Sequence, residues 1–121
     1  MNFNDSHLIL WNVYGYNNSQ KNIDLLEDIT QKIQICKLLY QCENVVRGDM
    51  NVNDDWFDRC PPRGQNHNPN KLFHQFCHKH DIQDAWRHYN NNTIQFSCFQ
   101  PNALHRSRLD YWLVSDSILN L

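Results

Sequence analysis

The sequence has no apolar run close to the ~20 residues that a membrane helix needs, no internal repeat and no low-complexity tract. Its first residues, Met1 to His7, are polar and lack the apolar core of a signal peptide. There is no excess of positive charge: Lys and Arg number 11 against 13 for Asp and Glu, for a formal net charge of -2 and a pI near 6.3. A whole-chain basic footprint for nucleic acid is therefore absent, although Arg59, Arg63, Arg106 and Arg108 leave room for local positive charge. Cys36, Cys42, Cys60, Cys77 and Cys98 are odd in number and follow no framework spacing. That excludes a disulfide scaffold and fits a reduced, intracellular protein. What remains is 121 residues, 40% hydrophobic and 20% charged, with a mean hydropathy of -0.74. These values describe one soluble globular domain with a modest core, a polar surface and long loops.

The hydrophobic patterning predicts alternating strands and helices. His7 to Tyr14 is apolar on both faces until Asn12, as in a buried strand of a sandwich. Gly15 to Ser19 is a loop by composition. Leu25, Leu26, Ile29, Ile33, Cys36 and Tyr40 recur at three- and four-residue spacings, which predicts a helix over 21–40. Ser19 or Asn22 would cap it, with Asp24, Glu27 and Asp28 at its positive end and Lys37 at the other. A strand over 43–47 follows, then a long polar loop over 53–69 that holds Asp54, Asp55, Trp56, Asp58, Arg59, Pro61, Pro62 and Arg63. Such loops in compact domains are commonly functional or disordered. A helix is expected over 70–79, a short extended or turn segment over 82–87, and strands over 93–99 and 109–115 joined through a Pro101-Asn102 turn. Strand, helix, strand within the first part of the chain indicates an α/β unit.

One short stretch stands out. Val45-Val46 leads through Arg47 and Gly48 to Asp49, with Asn51 two residues further on. Side chains at i and i+2 of an extended segment point the same way. Asp49 and Asn51 could thus reach one small target, such as a phosphate, a water or a metal, at the strand edge where α/β proteins bind ligands. An ordinary turn is the competing reading, because Asp, Asn and Gly all favour turns.

Read together, five motifs occur in a fixed order: Asn12-Val13-Tyr14-Gly15, Gly48-Asp49-Met50-Asn51, Asp84-Ala85-Trp86-Arg87, Phe96-Ser97-Cys98-Phe99, and Ser107-Arg108-Leu109-Asp110-Tyr111-Trp112-Leu113-Val114-Ser115. That order resembles the endonuclease/exonuclease/phosphatase superfamily. Within it, the Tyr14-to-Asn17 loop, Asp58-Arg59 with Pro61-Pro62-Arg63, and the strand after Ser107 are similar to the endonuclease domain of LINE-type (non-long-terminal-repeat) retrotransposons. The resemblance spans about residues 7 to 119. It implies a DNase I-like fold, a four-layered α/β sandwich in which a mixed sheet is flanked by helices. The chain matches its second half, so 1–121 would be a partial domain. The N-terminal half with the metal-binding glutamate, and the closing Ser-Asp-His segment, would lie outside this sequence. Ser115-Asp116 has Ser117 in the histidine place and reads as the exit from a strand.

The resemblance further implies phosphodiester hydrolysis of DNA with Mg2+, a hard cation held by oxygen ligands. Asp49 would orient and deprotonate the attacking water. Asn51 would donate its amide to the scissile phosphate, and Tyr14 its hydroxyl to the same phosphate or to the leaving group. Asp110 would support the family histidine. Ser97 would position the DNA, and Arg106 and Arg108 would touch phosphates. No metal ligand is assigned among these residues. An intact element would act in the nucleus, and a reverse-transcriptase frame downstream would settle the element class.

Blander readings stand beside these roles: Tyr14 as a strand end, Asp110 in a surface pair with Arg106 or Arg108, and the arginines as solvated surface. Cys77, His78 and His80, with Cys60 and His74, do not follow a zinc spacing. Cys36, Cys98, Trp86 and Trp112 read as core. Arg47, Met50 and Cys98 depart from the residues common in the family. Three functions follow. The first is a partial magnesium-dependent retrotransposon endonuclease, inactive as this chain. The second is an active phosphoesterase of the same superfamily on another substrate. The third is a non-catalytic interaction module whose inner faces, carrying Ile9, Trp11, Val45, Phe96, Leu109 and Trp112, lack cover.

Overall fold

A computed structural model describes residues 7–52, 58–60, 71–99 and 105–120. Asp54, Asp55, Trp56, Pro61, Pro62 and Arg63 of the expected loop lie outside them, as does the Pro101-Asn102 turn. The described elements are strands β1 (His7–Tyr14), β2 (Cys42–Asp49), β3 (Arg59–Cys60), β4 (Ile82–Asp84), β5 (Cys98–Phe99), β6 (Arg106–Ser107) and β7 (Asp110–Ser115). Helices α1 (Ser19–Leu39), α2 (Lys71–Lys79), α3 (Ala85–Tyr89) and α4 (Asp116–Leu119) complete them. The fold is mixed α/β. A four-stranded sheet runs β1-β2-β7-β4, and a small three-stranded sheet runs β3-β6-β5. β1 and β2 are parallel; β7 is antiparallel to both β2 and β4.

Parallel neighbours need a crossover, and α1 supplies it. Asn18, not Ser19 or Asn22, caps this helix: its side-chain oxygen accepts the Lys21 N–H at 3.0 Å. The helix starts at Ser19, two residues before the expected point, so Asn18 is the residue within reach of that orphan donor. Asn22 instead turns back and donates to the Tyr16 carbonyl at 2.6 Å. The earlier start also leaves no acid in the first turn, so Asp24, Glu27 and Asp28 sit too far along to gain much from the helix dipole. Lys37 does lie in the last turn.

Strand alternation divides the large sheet into two faces. On one, Val13, Val46, Tyr111, Leu113 and Ile82 pack with Ile29 and Ile33 of α1 and with Phe73 and Phe76 of α2. Trp11 joins this side and donates its indole N–H to the buried Asn44 at 2.7 Å. On the other face, Leu8 (63% exposed), Leu10 (52%), Tyr14 (77%) and Trp112 (50%) remain open. Three expectations are corrected here. β1 is not buried on both sides, because the described helices cover only one. The uncovered apolar residues are Leu8, Leu10 and Trp112, since Trp11 lies on the helix side and Val45, on a central strand, is buried. Trp112 is not core: it is half-exposed, with the Arg47 guanidinium 4.9 Å from its ring centre.

Local differences occur where elements are short. Ile82–Asp84 pairs with β7 as a strand, and Ala85–Tyr89 is a helix capped by Asp84, which accepts the Arg87 N–H at 3.2 Å. The expected strand over 93–99 narrows to Cys98–Phe99. Ser115 ends β7 and Asp116 begins α4, as their reading as a strand exit implied. Cys36 and Cys98 are half-buried rather than fully internal.

Candidate functional site

Sheet register assembles the residues singled out in the sequence. Tyr14 is the partner of Asp49 across β1 and β2, and Asp49 is the partner of Asp110 across β2 and β7. The three form one row over adjacent strands, with side chains on the same face. That row lies at the C-terminal ends of β1 and β2, an edge where α/β sheets bind ligands. The Met50 N–H donates to the Leu109 carbonyl at 2.8 Å, which makes Asp49 and Asp110 the adjacent non-hydrogen-bonded pair. Such pairs hold their Cα atoms about 4.5 Å apart, with side chains in closest approach. Like charges placed directly opposite each other destabilise a sheet. Among the described residues the Asp110 carboxylate has no hydrogen-bond or ion-pair partner that offsets this.

Asn51 completes the group from the turn that follows β2. Its φ of 51° is left-handed, a conformation that asparagine tolerates better than most residues. Asp49 Oδ1 accepts the Asn51 N–H at 3.0 Å, and Asn51 Nδ2 donates to the Gly15 carbonyl at 2.6 Å. The Gly15 N–H in turn donates to the Asp49 carbonyl at 2.6 Å. The two readings of this stretch therefore coincide: Asp49 and Asn51 do form a turn, and the turn fixes them beside Tyr14. Among the described residues, one Asp49 carboxylate oxygen and one Asn51 amide hydrogen have no further partner. Gly48 makes the close strand approach possible. Its φ is 132°, and a Cβ there would meet the Val13 carbonyl oxygen at 1.9 Å.

The three residues expected to bind substrate have different placements. The Ser97 hydroxyl accepts from the backbone N–H of Leu109 at 3.0 Å and of Asp110 at 3.3 Å. It thus anchors the start of β7 next to the row. Arg106 is on β6, exposed, with its guanidinium 5.8 Å from the Phe99 ring centre. Arg108 is 4% exposed and points inward. It donates to both Asp58 oxygens at 2.9 Å and to Asp84 at 2.7 Å, while Arg87 reaches Asp58 at 2.5 Å. The Arg108 guanidinium also lies 5.1 Å from the Trp86 ring centre and 4.7 Å from that of Tyr111. Burial by itself would lower the Arg108 pKa, but its bonds to Asp58 and Asp84 raise it overall. Arg108 is thereby committed to holding α3, β7 and Asp58 together and is not presented to a phosphate. It does not pair with Asp110 either.

A hard cation at the row would find carboxylate oxygens from Asp49 and Asp110. Among the described residues, no cluster of three or more His, Cys, Asp or Glu side chains is placed to hold a metal ion. Magnesium commonly takes one or two carboxylates, with water and phosphate at its remaining positions. What the row offers of its own is a carboxylate able to take a proton from water, an amide donor, a phenol donor and a second carboxylate. Arg47 adds a cation that sequence reasoning treated only as a family departure. It shares the face of Asp49 two residues earlier on β2, a placement that the i, i+2 spacing alone could have indicated. Gly15 reads from the sequence only as a loop and motif residue, yet its carbonyl and N–H tie Asn51 to Asp49. Compared with known protein families and with curated protein sequences, the chain matches none.

Proposed function

We propose that this chain supplies part of a phosphodiester-hydrolysing site, in a DNase I-like, four-layered sandwich of the endonuclease/exonuclease/phosphatase superfamily, similar to the endonuclease of LINE-type retrotransposons and acting on DNA. The observation that carries the reading is the row Tyr14, Asp49, Asp110, with Asn51 fastened beside it. Residues separated by most of the chain meet at one sheet edge, at the cost of facing two carboxylates. Sites are where such electrostatic conflict is tolerated.

In this reading Asp49 uses its free oxygen to orient a water and accept its proton, while the Asn51 N–H holds the other oxygen in place. Asn51 directs its second amide hydrogen to a phosphate oxygen. Tyr14, exposed at the strand end, donates its hydroxyl to the same phosphate or to the departing oxygen. These are donors aimed at charge that grows during the reaction. Asp110, set by Ser97, orients a histidine supplied from outside the described residues. The reading also carries an expectation of magnesium, whose main family ligand, a glutamate, is not assigned among these residues. The chain of 121 residues is accordingly proposed to be inactive, or nearly so, on its own.

Tyr14 and Asp110 are exposed and Asp49 is half-buried, an open arrangement that supports a polymer over a small phosphoester, because small-molecule sites are usually concave. A non-catalytic interaction module is a second reading, favoured by the open face around Leu8, Leu10 and Trp112. Supercoiled plasmid incubated with magnesium tests the proposal. The chain should leave the plasmid intact over hours. Nicking abolished by Asp49→Ala would keep the site and overturn the inactivity. Nicking indifferent to Asp49→Ala would overturn the site.

A further inference from the structure

We infer that Tyr111 is a positioning residue, whose buried hydroxyl fixes the turn that presents Asn51 to a phosphate. This role rests on the reading of the row as a phosphodiester site. Tyr111 follows Asp110 on β7, but its side chain lies on the helix-covered face and is buried. The ring packs on Phe73 with centres 5.0 Å apart and lies 4.7 Å from the Arg108 guanidinium. A phenylalanine would fill that space equally. The hydroxyl adds a separate function: it donates to the Val52 carbonyl at 2.8 Å, with the Arg108 carbonyl at 3.3 Å as a weaker second acceptor.

Val52 is the residue just after Asn51. Just before it, the Met50 N–H donates to the Leu109 carbonyl at 2.8 Å. The backbone is thus bonded on both sides of Asn51, by Leu109 and by Tyr111, with Asp110 of the row between those two. Met50 and Val52 are buried, where water does not readily replace a lost bond. Asn51 itself has a φ of 51°, a left-handed conformation that persists outside glycine only where the surroundings hold it. The bonds of Asn51 to Asp49 and Gly15 aim its amide only while this backbone stays in place. Site groups need placement to within about 0.5 Å, so a hydroxyl that holds the next peptide helps set the aim. The plainer account is a buried tyrosine that merely satisfies its hydroxyl. On that account Tyr111→Phe lowers stability and does nothing to Asn51 that another core change would not do.

The test is Tyr111→Phe in the whole chain, beside Ile33→Val, a change in the buried core of α1 away from the turn. Nuclear magnetic resonance reads two quantities: exchange of the Asn51 amide in the free chain, and affinity for a short DNA duplex at low salt. Tyr111→Phe should speed Asn51 exchange by about tenfold, as the turn opens locally. It should weaken DNA binding about three- to tenfold, the range that one hydrogen bond contributes. Ile33→Val should leave both as they are in the unmodified chain. Unchanged Asn51 exchange in Tyr111→Phe overturns the role, whether or not DNA binds. A loosened Asn51 with undiminished affinity overturns it too, as do equal losses in Ile33→Val. If the unmodified chain shows no shifts with DNA, the phosphodiester reading fails and the positioning role falls with it, and faster Asn51 exchange then marks a structural bond alone. If Tyr111→Phe does not fold, the unmodified chain decides: Tyr111 and Val52 signals should move with those of Asn51 along one DNA titration curve, and signals that stay still contradict the role.

Discussion

At the scale of single residues, two kinds of charge separate. Asp110 faces Asp49 across a non-hydrogen-bonded pair, and its carboxylate has no compensating partner among the described residues. Removing one charge of such a pair relieves repulsion. Asp110→Asn should therefore stabilise the chain, by roughly 0.3–1 kcal/mol in urea unfolding, as relief of site strain commonly does. A loss of stability would mean that Asp110 is structural. Arg108 behaves oppositely. It is the buried hub for Asp58 and Asp84, and breaking such a network leaves carboxylates uncompensated. Arg108→Ala should cost about 3–5 kcal/mol, whereas Arg106→Ala, on the exposed ribbon, should stay within about 0.5 kcal/mol. Equal effects of the two arginine variants in the same unfolding experiment would contradict this assignment. Sequence could name Arg108 but not aim it. Its partner Asp58 is 50 positions away, and a lone arginine before a strand looks alike whether it turns inward or out.

At the scale of elements, the contact between α1 and α2 carries a pH dependence. His80, just past α2, shares a hydrogen bond of 3.1 Å with Thr30 of α1 and sits edge-on to Phe76 with ring centres 4.9 Å apart. Burial chiefly, then Lys37 and Lys79, lower its pKa from 6.5, against an opposing pull from Asp81. The folded chain thus binds this proton more weakly than the unfolded chain. The His80 contribution is fully present above about pH 6.5 and is lost as pH falls below that value toward the lowered one. Stability measured by denaturant should decline across that window, and His80→Gln should flatten the decline. An unchanged slope in the variant would assign the effect to other groups. The long elements were legible because they carry many periods: β1 agrees residue for residue, and α1 and α2 agree to within two residues. β3, β5 and β6 have 2 residues each, too few for any alternation to register. They exist through pairing with one another, which is a tertiary fact.

At the scale of the whole molecule, the described helices cover the sheet on one side only. α1 and α2 bury Val46, Tyr111 and Leu113, while Leu8, Leu10 and Trp112 stand open on the reverse. An apolar face of this kind should bind a hydrophobic dye in the fully folded state. Dye fluorescence should fall by about half or more in Trp112→Ser without loss of cooperative unfolding, because this half-exposed ring is the largest apolar side chain on that face. Dye binding that appears only on unfolding would show the face to be covered. The apolar content of β1 was plain in the sequence, but not which side is clothed. Both faces read as hydrophobic, and only the position of the helices decides between them. The candidate site was more legible than the surface around it, because strand ends and turn residues mark it locally. The register that brings Tyr14, Asp49 and Asp110 into one row is not written in any of the three segments alone.

That row is the centre of the account, and a titration of the isotopically labelled chain with a short DNA duplex, read by nuclear magnetic resonance at low salt, tests it most directly. The account predicts shifts concentrated at Tyr14, Gly15, Asn51, Ser97 and Asp110. They should weaken as salt screens the phosphates and be lost in Asn51→Ala. Shifts confined to α1 and α2, or none at all under conditions where the chain is folded, would contradict it.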